Sequence, residues 1–170
     1  MADDTRDDRN TDAVPGDGRH ESENERLDRN FTEILQELRV TQTGTQILTG
    51  FLLAVAFQSR FTTLNSFQVH VYLVLVLLAA SATALGLAPV SLHRVLFRRG
   101  EKDRIVAISS VLLDVILVCV ALSVTGVVLL VFDVVGSLTA AIVAASCVLV
   151  GVVVLWYVFP RRERKRRRQA

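Results

Sequence analysis

Asp114 is the residue whose position most invites chemistry. It stands alone in the long apolar run that follows Arg104. Ten residues beyond Arg104 amount to about 15 Å of helical rise, which sets the carboxyl near the middle of a bilayer if this run crosses one. A carboxylate turned toward lipid at that depth is costly, so Asp114 is expected to face a bundle interior. Two roles fit it there. One is a proton or cation site; the other is a hydrogen-bonded acid that fixes how helices pack. A second candidate is the polar stripe Gln42, Thr45, Gln46 and Thr49. Gln42 and Gln46 share a helical face, as do Thr45 and Thr49. Hydrogen bonds between helices in a membrane average about 0.6 kcal/mol, so packing glue accounts for the stripe. A sharper expectation is that the stripe and Asp114 face each other across a polar cavity open to the cytoplasm.

Charged residues outside the apolar runs form two further groups. Glu33, Glu37 and Arg39 precede the first apolar run, and Arg94 and Arg98 follow the second. On the same side of a membrane they would form an ion-pair clamp of the weak surface kind. Arg161, Arg162, Arg164, Lys165, Arg166, Arg167 and Arg168 directly follow the last apolar run. Such a cluster attracts anionic lipid headgroups, at roughly 1 kcal/mol per residue. Nothing beside it reads bases, so no nucleic-acid partner is expected.

Enzyme chemistry finds no foothold. There is no nucleophile–base constellation, no glycine-rich phosphate loop and no zinc-protease pattern. His20, His70 and His93 are too far apart for a shared metal, and Cys119 and Cys147 lie singly in apolar runs. No cofactor and no metal are expected, and the chain reads as non-enzymatic.

The elements that carry these residues follow from the segregation of charge. Of 170 residues, 51% are hydrophobic and 21% charged. The first 39 residues hold twelve acids and six arginines, whereas only ten charged residues fall between Thr41 and Phe159. Blocks of this kind indicate a membrane protein. Residues 1–21 are too polar to fold and read as a disordered acidic tail. They lack the apolar core of a cleavable signal peptide. Ser22 and Glu25 have capping-box spacing. Leu27, Phe31, Ile34, Leu35 and Leu38 then share one face, which predicts an amphipathic lead-in helix over 22–40 lying on the membrane surface or against the bundle. Four spans follow at about 41–61, 67–88, 105–132 and 137–159, with Pro89 closing the second and a basic tail over 160–170. The fold class is an all-α, polytopic membrane protein with a four-transmembrane-helix bundle. Repeats of small residues offer packing seams: Gly50 and Ala54; Ala80, Ala84 and Ala88; Gly136, Ala140 and Ala144, beside Ala141 and Ala145. Fifteen Lys and Arg flank one side of these spans and Arg60 alone the other, which places both termini in the cytoplasm.

Part of the chain resembles a known group. Glu33-Ile34-Leu35-Gln36-Glu37-Leu38-Arg39-Val40, Gln42-Thr43-Gly44, Gln46-Ile47-Leu48 and Phe57-Gln58-Ser59-Arg60-Phe61 are similar to an uncharacterised family of small actinobacterial membrane proteins. So are Ala88-Pro89, His93-Arg94 and Leu96-Phe97-Arg98. The resemblance covers Phe31 to Arg104 and implies a four-helix architecture in a bacterial cell membrane. It implies no reaction and no ligand. The expected role is an accessory, scaffold or partner-binding membrane component, touching anionic lipid at its cytoplasmic face and a protein partner or further copies of itself. The alternative is an oligomeric proton- or cation-coupled transporter or channel using Asp114.

Overall fold

The computed structural model describes residues 21–96, 102–159 and 161–162, with backbone alone for 93–96 and 102–103. Among these residues every regular element is helical. Helix α1 runs Glu23–Val55, a 3-10 turn covers Ser59–Thr63, and α2 runs Ser66–Leu96. Helix α3 runs Lys102–Val135, and α4 runs Leu138–Val153 before passing into a π-helical turn, Val154–Val158. Of the tail read over 1–21, all but Glu21 lies outside the described residues, as does most of the basic tail.

Helix α1 begins with the capping box expected at Ser22. The Ser22 backbone amide donates to the Glu25 carboxylate at 2.8 Å, and the Glu25 amide donates to the Ser22 hydroxyl at 3.5 Å. The bond from the Ser22 amide holds the Glu25 carboxyl below its ordinary value of 4.5. A carboxyl lowered by folding stabilises the folded form above its unfolded value and loses that effect as pH falls through the lowered one. Amide-exchange protection in the first turn of α1 is therefore expected to fade as pH drops below 4.5. Ser22→Ala should remove most of that pH dependence; protection that still fades equally in the variant would exclude the capping box as its source.

The lead-in helix and the first expected span form one helix without a break at residue 40. The polar run Thr41–Gln46 stays helical because its threonines satisfy themselves within the helix. Thr41 donates to the Glu37 carbonyl at 2.9 Å, Thr43 to Arg39 at 3.0 Å and Thr45 to Thr41 at 2.8 Å. The helix then ends at Val55, six residues before the expected limit at Phe61. At the other boundary α2 passes through Pro89 and continues to Leu96, where a stop had been expected. Proline removes one backbone bond, but its ring here is fully buried between helices. Breaking the helix in apolar surroundings would leave more backbone groups without partners than one missing bond does.

Helices α1, α2 and α3 pack on one another along their lengths, with α1 and α3 antiparallel to α2. At one level Leu38 of α1, Ala82 of α2, and Leu113 and Ile116 of α3 form a buried cluster, which Ile34 and Leu35 of the lead-in segment extend. At another, Leu52 of α1 meets Tyr72, Leu75 and Ala79 of α2. The Tyr72 hydroxyl donates to the Leu52 carbonyl at 2.9 Å, and the Phe61 ring meets Tyr72 edge-on at 5.0 Å. Helix α4 packs chiefly on α3, through Ala141 and Ala145, and leaves most of its apolar surface uncovered. The seam of α2 that enters the core is Ala79, Ala82 and Gly86, whereas Ala80 and Ala84 face outward, as do Gly50 and Ala54 of α1.

Lengths divide the molecule into two parts. Helices α1 and α3 have 33 and 34 residues, while α4 with its π-helical turn has 21. At 1.5 Å per residue that is about 50 Å against about 32 Å. The end carrying the 3-10 turn and the α3–α4 connection is called the turn end here, and the opposite one the open end. Toward the open end, α1 and α3 extend together beyond the reach of α4. Three helices, over Ser66–Leu92, Arg104–Val135 and Leu138–Val158, are long and apolar enough to cross a membrane.

Candidate functional site

The polar stripe of α1 converges on one residue of α2. The Gln42 side-chain amide donates to the Thr83 carbonyl at 3.2 Å. Thr49 donates to the Thr45 carbonyl at 2.7 Å and sits 3.5 Å from the Thr83 hydroxyl, which itself donates to the Ala79 carbonyl at 3.0 Å. Thr45 is buried in the same seam. Gly86 allows Gln42 to lie there, since a Cβ at that position would fall on the carboxamide. Gln46, by contrast, is exposed on the outer surface of α1.

Asp114 is exposed as well. Its neighbours Leu113 and Ile116 are the ones buried against Leu38 and Ala82, and residue 114 lies about 200° around the helix from Ile116. The expected cavity between the stripe and Asp114 is therefore not formed: Gln42, Thr45 and Thr49 meet α2, while Gln46 and Asp114 point away from the core. The depth of Asp114 also differs from the expectation. Counting back from the tight turn that joins α3 to α4, it falls about 21 residues from Val135, level with Phe159 at the far end of α4. It thus shares a level with the aromatic and basic band Trp156, Tyr157 and Arg161. There the π-helical turn sets Tyr157 under the Arg161 guanidinium at 5.1 Å from the ring centre.

At the open end Arg29 organises the charges. It binds Glu21 through two bonds, of 2.6 and 3.1 Å, and Glu33 through one of 3.2 Å. The Glu21 hydrogen bonds, and secondarily Glu33, push the Arg29 guanidinium further up. Glu33 is thus engaged within its own helix, while Glu37 and Arg39 are exposed. The clamp expected with Arg94 and Arg98 involves side chains outside the described residues. So do the lipid contacts expected of Arg164, Lys165, Arg166, Arg167 and Arg168; Arg161 and Arg162 are exposed.

A second polar cluster, not foreseen from sequence, closes the turn end. The Asn65 amide donates to the Gln68 side-chain carbonyl and the Gln68 amide to the Asn65 side-chain carbonyl, each at 3.0 Å. This is a capping box at the start of α2, with Asn in the first place. The Gln68 side-chain amide then donates to Asp133 of α3 at 3.0 Å. The local half of this arrangement was visible as Asn and Gln three residues apart. Its partner, 65 residues away, carried no signal.

Among the described residues every regular element is a helix, and three of these are long and apolar enough to cross a membrane, the build of a membrane protein. Its family can be stated: the chain belongs to the family of unknown function DUF6328, whose profile matches residues 20–160. No curated protein and no solved structure matches it.

Proposed function

We propose that this protein is a non-enzymatic accessory or scaffold component of the bacterial cytoplasmic membrane, which holds a protein partner through the open end of its three-helix core. The observation that carries the reading is the unequal length of the helices. If α4 spans the bilayer core, α1 and α3 project beyond it by about a dozen residues each, and α1 bears exposed Gln36 and Glu37 where that projection begins. Four crossings suit the packing, because Leu38 to Leu52 of α1 runs beside the apolar span of α2. With four crossings, the bias of Lys and Arg puts the open end in the cytoplasm. Arg161 over Tyr157 then meets the lipid headgroups of the same face. The transporter reading has less support, since Gln46 and Asp114 point outward and the other residues of the stripe, Gln42, Thr45 and Thr49, donate to helix carbonyls.

Two measurements test the proposal together. Full-length protein reconstituted in liposomes should pass protons, sodium and potassium no faster than empty liposomes. A photocrosslinking residue at position 36 should trap, in living cells, one discrete protein adduct that the same probe at lipid-facing position 51 does not. Glu37→Lys should reduce that adduct several-fold. Cation flux that Asp114→Asn abolishes, or crosslinks to lipid alone from position 36, would overturn the reading.

A further inference from the structure

At the turn end, α1, the 3-10 turn and α3 part to leave a half-open cavity of about 490 Å³. Its body is apolar, with Leu52, Phe61 and Leu64 on one side and Val127 and Val131 on the other. Tyr72 lines it too, but its hydroxyl is already bonded to the Leu52 carbonyl at 2.9 Å. The polar groups collect at the exposed rim, where Gln58, Ser59 and Arg60 follow one another. Among the described residues these three side chains have no hydrogen-bond or ion-pair partner. Asp133, the carboxylate of the same end, is held by Gln68.

Volume and lining match a ligand site: pockets of roughly 300–1,000 Å³ that are mostly apolar with a few convergent polar groups. The charge selects the class of ligand. Arg60 is the only Lys or Arg between Arg39 and Arg94. A guanidinium beside an amide and a hydroxyl can turn several N–H and O–H donors on one anion, and phosphate has the oxygens to accept from all three, the guanidinium fork included. An apolar slot opening beside such donors suits a molecule with a tail at one end and a phosphate at the other. We infer that the cavity holds one acyl chain of an anionic phospholipid, with its phosphate on Arg60, Ser59 and Gln58. This site is separate from the open end and stands or falls independently of the partner-binding role.

Native mass spectrometry of the full-length protein in mild detergent tests it. Phosphatidylglycerol and phosphatidylcholine of the same chain length are added in turn. One phosphatidylglycerol per chain should be retained, about tenfold over phosphatidylcholine, whose phosphate charge is offset by its own choline cation beside Arg60; tenfold is the scale of one charge-assisted hydrogen bond. Arg60→Gln, at the exposed rim, should bring the two lipids to equal retention. Val131→Trp, or Leu64→Trp if the first does not fold, fills the cavity and should lower both. The basic C-terminal tail also attracts anionic lipid, but it is unchanged in these variants. Preference for phosphatidylglycerol that survives Arg60→Gln, retention that survives the tryptophan, or a protein dimer in place of the lipid adduct would overturn the inference.

Discussion

Gly86→Val is expected to push the Gln42 side chain out of the seam between α1 and α2, lowering the unfolding midpoint of the protein in detergent micelles, with Gly86→Ala doing so to a smaller extent. Gly86 is buried, and a Cβ there would fall on the carboxamide of Gln42. The atoms met are the far end of a flexible side chain that can swing aside, so the cost falls toward the low end of the roughly 1–3 kcal/mol of overpacking. Displacing Gln42 from the Thr83 carbonyl, now 3.2 Å away, adds the loss of one interhelical bond, about 0.6 kcal/mol. The sign of the alanine effect should depend on its neighbour. In a Gln42→Ala background the space is vacated, and alanine in place of glycine then brings its helix preference of about 0.8–1.0 kcal/mol with no clash. Gly86→Ala is thus expected to destabilise the natural protein and to stabilise the Gln42→Ala variant. Such a reversal is measurable as a non-additive double-mutant cycle. Additive effects of the two substitutions would mean that Gln42 does not lie over Gly86.

How far the chain could be read in advance depended on the range of each signal. The Ser22–Glu25 capping box and the amphipathic face of Leu27, Ile34, Leu35 and Leu38 are local and periodic, and they were legible. The end of α2 was not, because Pro89 is a strong stop in water and a weak one when packed between apolar helices. Facing was harder still. Alanines occur in α2 at 79, 80, 82, 84 and 88, so more than one face shows small residues at helical spacing, and only the packing chooses Ala79, Ala82 and Gly86. Of the polar stripe, Gln42 and Thr49 reach Thr83 of α2, but Gln46, about 60° around the helix from Thr49 and about 100° from Thr45, is exposed.

Asp114 shows how a sound count can start from the wrong place. Measured from Arg104, it lies deep in the apolar run. The count presumes that α3 enters the apolar layer just after Arg104. Yet Ile105 is buried, and Leu113 packs with Leu38, so the first ten residues of α3 lie beside the lead-in part of α1. Measured from the α3–α4 turn instead, the carboxyl reaches the level of Phe159. A charged group in an aromatic and basic band costs far less than one at mid-depth. An outward-facing carboxyl at that level needs no proton-relay role to explain it.

The strongest effect at the turn end is expected from Gln68→Leu. Leucine preserves most of the side-chain volume, so the change isolates two hydrogen bonds. One is from the Asn65 amide to the Gln68 side chain, and the other is from Gln68 to Asp133, both 3.0 Å. The bond from the Gln68 backbone to Asn65 survives, so α2 keeps part of its cap. Losing the first bond costs about 1 kcal/mol, and leaving a half-buried carboxylate without its donor costs about 1–3 kcal/mol more. Because Asp133 sits two residues before the end of α3, the loss should also loosen the turn into α4, visible as faster amide exchange at Ala140, whose amide donates to Ser137 at 3.3 Å. Removing both partners should be milder than removing one, since Gln68→Leu with Asp133→Leu leaves no stranded charge, and an apolar pair suits surroundings of this kind. The double variant is therefore expected to unfold at higher temperature than Gln68→Leu alone. If the double variant is the less stable of the two, Asp133 is held by something other than Gln68, and the tie between α2 and α3 lies elsewhere.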